Sequence, residues 1–152
     1  TVENHFKDLF RARGESYDAS RIIDMLNLVH LDGGDRILQS YPFQLSGGMQ
    51  QRLAIALSLI LKPNIVFADE PTSALDILVQ ASVLDLLREV TQALGATVVI
   101  VTHNIKAAAR IANSIGVMNK GQLVEVGPTE AVINQPKAEY THVLLDSVMK
   151  VV

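Results

Sequence analysis

The chain has 152 residues, long enough for a domain with its own core. It is 49% hydrophobic and only 5% aromatic, so that core should be aliphatic; a net charge of −3, with no run of Lys or Arg, predicts no nucleic-acid partner. The absence of cysteine excludes disulfides and thiolate metal sites and fits a reducing cytoplasm, and the longest apolar stretch, 53–61, is too short to span a bilayer.

Taken in chain order, residues 1–31 should form two helices. Val2, Phe6, Leu9 and Phe10 fall at helical spacing, as do Ile22, Ile23, Leu26 and Val29, with a break over 14–20. Gly33-Gly34 predicts the end of the second helix, and Tyr41-Pro42 a turn. Residues 46–61 predict a long, largely buried helix, stopped by Lys62-Pro63-Asn64. The apolar run Ile65-Val66-Phe67-Ala68, ending in Asp69-Glu70, predicts a fully buried parallel strand. Leu75, Val79, Val83, Leu86, Leu87, Val90 and Leu94 then mark the inner face of a helix that Gly95 closes. Residues 97–101 predict another buried strand, ending at Thr102-His103, and Asn104 can cap a helix that runs to about Ala112.

Beyond that the pattern changes. Residues 115–118, a turn at Asn119-Lys120-Gly121, and residues 122–126 predict a hairpin. Thr129 should cap a helix over 130–134, and a final helix should cover 141–150. The strand–helix–strand alternation predicts an α/β sheet with right-handed crossovers, in which chemistry gathers at the carboxyl ends of the strands. Asp69, Glu70 and His103 stand at such ends.

Each candidate has an ordinary reading beside its chemical one. Two adjacent acids are costly to bury without a partner, and a phosphate-bound Mg²⁺ would be one; as an isolated dipeptide, Asp69-Glu70 is more often a solvated strand end. Pro71 biases Glu70 away from helical geometry, which predicts an extended residue able to reach a water molecule. Ser46-Gly47-Gly48 can cap a helix and nothing more. Its glycines also permit close approach of a ligand, and the free amides and helix dipole favour an anion there. Ser73-Ala74-Leu75-Asp76 has capping-box spacing and so also has a purely structural reading. His103 alone is an ordinary polar residue near a loop; His5, His30 and His142 have no constellation around them.

Order and spacing say more than any one motif. Leu45-Ser46-Gly47-Gly48-Met49, followed by Gln50-Gln51-Arg52, resembles the ABC signature motif. Residues 65–70 resemble a Walker B strand with its catalytic glutamate, residues 71–76 the D-loop, and His103 the switch histidine. The resemblance to ABC transporter ATP-binding subunits covers roughly residues 40–130. It implies a P-loop NTPase-like sheet, with 1–62 as the helical subdomain against the membrane subunits and 63–152 as part of the ATPase core. It implies that Ser46, Gly47 and Gly48, flanked by Leu45 and Met49, contact the γ-phosphate of ATP held by a second ATPase subunit. Asp69 would hold Mg²⁺ through water, Glu70 would be the general base, His103 would steady the γ-phosphate, and Asp76, with Ser73, Ala74 and Leu75, would lie at the dimer interface. The implied partners are that second subunit and transmembrane permease subunits, and the implied place is the cytoplasmic face of the membrane. Gln135-Pro136, Tyr140-Thr141 and Leu144-Leu145 resemble the tail of oligopeptide, dipeptide and nickel importer ATPases.

Two features depart from that pattern. Met49 replaces the commonest glutamine, so Ser46 and Met49 cannot form a capping box; Met here is familiar among peptide importers. No Gly-Lys-Ser or Gly-Lys-Thr occurs anywhere, and Lys120-Gly121 has the reverse order. The start at Thr1 predicts an excerpt of a longer protein, and these residues alone are expected to bind MgATP weakly and not to hydrolyse it. Rival readings are a non-transport ABC ATPase acting in DNA repair or on ribosomes, which usually carries long coiled-coil or charged insertions absent here, and a stand-alone binding module built from half of the fold.

Overall fold

The computed structural model describes residues 1–73 and 75–149. They form two compact units, Thr1–Val101 and Thr102–Val152. The first contains α1 (Val2–Arg13), α2 (Ala19–Leu28), α3 (Gly34–Gln39), a 3₁₀ turn (Pro42–Gln44), α4 (Gly47–Leu59), β1 (Ile65–Asp69), α5 (Ile77–Ala93) and β2 (Thr97–Val101).

Helix α1 stops at Gly14, whose φ of 69° suits glycine; the Gly14 and Glu15 amides donate back to the Arg11 and Phe10 carbonyls. The break is shorter than expected. Asp18 accepts a bond from the Arg21 amide at 3.0 Å, so Ala19 and Ser20 are already helical. Gly33-Gly34 does not end α2, which stops at Leu28. Gly33, at φ 98°, caps the unforeseen α3, and a Cβ on Gly34 would lie 2.8 Å from Ile23 Cδ1. Gly33 thus supplies the left-handed cap, and a side chain at Gly34 would require the tip of Ile23 to move. The Arg21 guanidinium donates to the Ile60 carbonyl past the end of α4, pairs with Glu15 at 2.7 Å, and lies 5.3 Å over the Phe10 ring. One side chain thereby ties three helices together.

The core of this unit is aliphatic, with Phe6 and Phe10 of α1 packed among residues such as Leu26, Leu59, Val83 and Val90. The inner face anticipated for α5 is borne out: Val83, Leu86, Leu87 and Val90 are buried. Strands β1 and β2 pair in parallel, from Ile65 opposite Thr97 to Asp69 opposite Val101, with α5 as the crossover. They are not fully buried, as the apolar runs had suggested. Val66, Ala68, Val98 and Ile100 pack on the core, while Ile65, Phe67, Val99 and Val101 face solvent. The period-2 geometry of a strand sends alternate side chains to opposite faces, and within this unit helices pack against only one of them.

The second unit contains α6 (Ile105–Ile111), β3 (Ser114–Asn119), β4 (Gln122–Pro128), α7 (Thr129–Asn134) and α8 (Glu139–Met149). The hairpin is where the sequence placed it. Lys120 and Gly121, at φ 49° and 78°, make the two-residue turn, and a bulge beyond Val117 pairs Met118 with Leu123. Thr129 does not cap α7. Pro128 holds the cap position, and the Thr129 hydroxyl donates to the Ala112 carbonyl instead. Helix α8 starts two residues early because the Glu125 carboxylate accepts the Lys137 and Ala138 amides at 2.9 and 3.0 Å. The Lys150 end of the anticipated helix lies outside the described residues. Among the described residues no helix is long and apolar enough to cross a membrane.

Candidate functional site

The residues 45–49 open α4. Leu45 is buried in the core, which leaves its backbone for any ligand contact. Its carbonyl, with that of Pro42, accepts the Gln50 side-chain amide at 3.1 and 3.0 Å. Ser46 is exposed and caps the helix, its Oγ accepting the Met49 amide at 3.3 Å. The Met49 side chain packs against the core and has no group to return that bond, in line with the absence of a capping box. The Gly47 and Gly48 amides have no acceptor within the helix, which is the property an anion site requires.

The glycines also have a packing role that the sequence did not show. A Cβ on Gly47 would make ordinary contact with Leu75 at 3.6 Å; one on Gly48 would press on Val79 Cγ1 at 3.2 Å. The start of α4 therefore rests on the start of α5. No periodicity could have revealed this contact, because it joins positions thirty residues apart.

Asp69 ends β1 and is exposed. The Glu70 amide donates to the Val101 carbonyl at 2.8 Å, which extends the ladder by one residue. Glu70 is not extended, however: its φ is 45°. Its carbonyl accepts both the amide and the hydroxyl of Ser73, each at 3.2 Å, and closing that turn reverses the chain at Glu70. A left-handed non-glycine residue costs roughly 1–2 kcal/mol, and such residues cluster at functional sites.

In the following segment, Ser73 is not the helix cap, contrary to the capping-box spacing. Asp76 caps α5, accepting the Val79 amide at 3.0 Å. Ser73 is occupied by the Glu70 carbonyl, and the Leu75 carbonyl accepts the Gln80 side chain at 2.9 Å. Ala74 lies outside the described residues. In the second unit, His103 is exposed, between Thr102, whose hydroxyl accepts the Asn104 amide at 3.1 Å, and Asn104, which caps α6 through the Ala107 amide at 3.1 Å.

The donor set suits Mg²⁺ carried on phosphates. Asp69 offers an exposed carboxylate, and Mg²⁺ typically takes one or two carboxylates, phosphate oxygens and several waters. Among the described residues no cluster of three or more ligating side chains offers a cage made of protein alone.

A parallel β–α–β unit, with acids at a strand's carboxyl end and glycines opening a neighbouring helix, has the architecture of a P-loop NTPase. Comparison with known proteins narrows this. A family model described as ABC transporter matches residues 1–73. The dipeptide transport ATP-binding protein DppD of Caldanaerobacter subterraneus is 43% identical over 154 residues, covering 99% of this chain and 47% of that protein. The DppD of Bacillus subtilis is 41% identical, covering 92% of this chain and 42% of that protein; the oligopeptide transport ATP-binding protein OppD of Lactococcus lactis is 41% identical, covering 88% and 39%. Among solved structures, an ATP-binding subunit of an ABC transporter superposes with a TM-score of 0.71 at 26% identity, covering 96% of this chain and 62% of that one. A Clostridium perfringens subunit, part of the ABC transporter complex cbiONQ, gives 0.74 at 26% identity, covering 86% and 53%. Along most of its length the chain is similar to the ATP-binding subunits of ABC transporters. It spans about half the length of the curated relatives it matches.

Proposed function

We propose that these residues are part of the ATP-hydrolysing subunit of a peptide importer. Peptides are preferred to nickel because the relatives above are named for dipeptide and oligopeptide transport. The observation that carries the chemistry is the β1 end, where Glu70 is turned left-handed beside the exposed Asp69.

In this reading Glu70 takes a proton from the attacking water, and its backbone bonds to Val101 and Ser73 fix where its carboxylate starts from. Asp69 would hold a phosphate-borne Mg²⁺ through water, and that ion would supply charge neutralisation. The Ser46 hydroxyl and the Gly47 and Gly48 amides meet the terminal phosphate of a nucleotide held by a second ATPase subunit, with the Leu45 and Met49 backbone beside them. His103 steadies the terminal phosphate of the nucleotide that its own subunit holds. Residues 73–76, with Asp76 at the start of α5, lie at the subunit interface. Residues 1–62 act as the helical subdomain that meets the permease, which holds the protein at the cytoplasmic face of the membrane, and 63–152 belong to the ATPase core.

The test is Glu70→Gln in the full-length protein. MgATP binding should be retained while turnover falls by roughly 10²–10⁴-fold, the usual contribution of a positioned general base. Turnover at the wild-type rate would remove Glu70 from the mechanism.

A further inference from the structure

Helices α4 and α5 open in the same way, although Leu-Ser-Gly-Gly-Met-Gln (45–50) and Leu-Asp-Ile-Leu-Val-Gln (75–80) share little else. In each, the cap side chain accepts the amide three residues on: Ser46 from Met49 at 3.3 Å, Asp76 from Val79 at 3.0 Å. In each, the glutamine that follows donates twice. Its backbone amide goes to the cap carbonyl, at 2.8 Å for Gln50 and 2.9 Å for Gln80. Its side-chain amide goes back to the leucine carbonyl, at 3.1 and 2.9 Å. That carbonyl lies one residue ahead of the cap, outside the helix's own ladder, and so takes its partner from a side chain.

The two openings also meet. A Cβ on Gly47 would lie 3.6 Å from Leu75 Cδ2, and one on Gly48 3.2 Å from Val79 Cγ1, so the glycine backbone of α4 stands over these two side chains. Leu75 and Val79 in turn pack on the core of the first unit. The backbone of each is tied down. The Val79 amide is bound by Asp76. Leu75 stands ahead of α5, its amide donating to the Thr72 carbonyl at 3.1 Å and its carbonyl held by the half-buried Gln80. Close-packed groups pass a displacement to their neighbours instead of absorbing it. Where Leu75 sits therefore bears on where the Gly47 and Gly48 amides point.

We propose that Gln80 is a positioning residue for the first turn of α4. By holding the Leu75 carbonyl it fixes the ledge under Gly47 and Gly48, and with it the aim of their amides. Gln80 itself touches no ligand in this role; it acts through Leu75. The inference rests on the proposed function, since it takes the terminal phosphate of a nucleotide as what those amides meet.

The experiment uses full-length protein assembled with its second ATPase subunit and carrying Glu70→Gln, to prevent turnover. The probes are MgATP and MgADP, which lacks the terminal phosphate. Gln80→Glu keeps the shape of the side chain but at pH 7 offers the Leu75 carbonyl only acceptors. Gln80→Met fills the same space with no donor and an equal liking for helix. Both should weaken MgATP binding by roughly 3–10-fold, the worth of one hydrogen bond, and leave MgADP binding within twofold of the parent. MgATP affinity within twofold of the parent in both variants overturns the inference, since bulk alone would then suffice. Equal loss of both nucleotides also overturns it, because a general loosening of the fold would lower both. Should Gln80→Glu fail to fold, Gln80→Met decides by the same measures. Ser46→Ala in the same background separates the two possible failures. If it lowers MgATP binding selectively while the Gln80 variants do not, only the role of Gln80 falls. If it leaves the preference for MgATP over MgADP unchanged, the proposed function of the α4 start falls, and this inference with it.

Discussion

Glu70 shows how a single backbone angle can be tied to chemistry. Its left-handed φ is imposed by bonds on both sides of its own peptide units, to Val101 and Ser73. The strain, about 1–2 kcal/mol, exceeds the 0.5–1 kcal/mol by which glycine's freedom disfavours the folded chain. Glu70→Gly should therefore be more stable than Glu70→Ala by roughly 0.5–1 kcal/mol, although both lack the carboxylate. Denaturant unfolding of the two variants measures the difference directly, and whatever the carboxylate contacts cancels between them. An Ala variant as stable as the Gly variant would mean that the angle relaxes without cost. Pro71 was a sound reason for non-helical geometry, but the extended residue expected from it was wrong; the sign of φ came from the Ser73 turn, which no residue pattern specifies.

At the level of elements, two helix starts are held by groups outside the helix. Helix α4 rests its Gly48 on Val79 of α5, and α8 is anchored by Glu125 of β4. The Thr141 hydroxyl, then the amides of Ala138 and Lys137, hold the Glu125 carboxyl below its ordinary value of 4.5. A depressed carboxyl stabilises the fold fully above the unfolded-state value and loses that contribution as pH falls through the folded value. Attachment of α8 should accordingly be unchanged from pH 7 down to about 5.5 and weaken below about 4.5. Amide exchange at Lys137 and Ala138 across that range reads it out. Glu125→Ala should raise exchange there at pH 7 and remove the acid-side dependence; identical profiles in wild type and variant would show that the carboxylate does not anchor the helix. Hairpin and helices were legible here from turn residues and spacing, but this cap was not, because its acid lies twelve residues before the amides it serves.

For the whole chain, the open face of β1 and β2 is the feature with the largest physical consequence. Ile65, Phe67, Val99 and Val101 form an apolar surface on a parallel sheet, a type normally covered on both sides. The 152 residues by themselves should self-associate through it, as exposed apolar patches do. Phe67→Lys, at a position 78% exposed, should shift sedimentation toward monomer without loss of helical circular dichroism. Unchanged association would place the contact elsewhere.

The sequence by itself determined the alternation of strand and helix, the hairpin, the resemblance to ABC ATP-binding subunits, and the order of the residues 45–49, 69–76 and 103 along the chain. These rest on local chemistry: apolar period, turn residues, and motifs of fixed spacing. The tertiary structure decided which apolar strand residues are covered, that Gly33 starts a helix rather than ending one, that Asp76 and not Ser73 caps α5, and that Glu70 turns left-handed. It also revealed that the start of α4 stands over Leu75 and Val79. Each of these depends on a neighbour brought close by folding, and burial, close approach and hydrogen-bond partners are relations between distant segments that no single stretch of sequence contains.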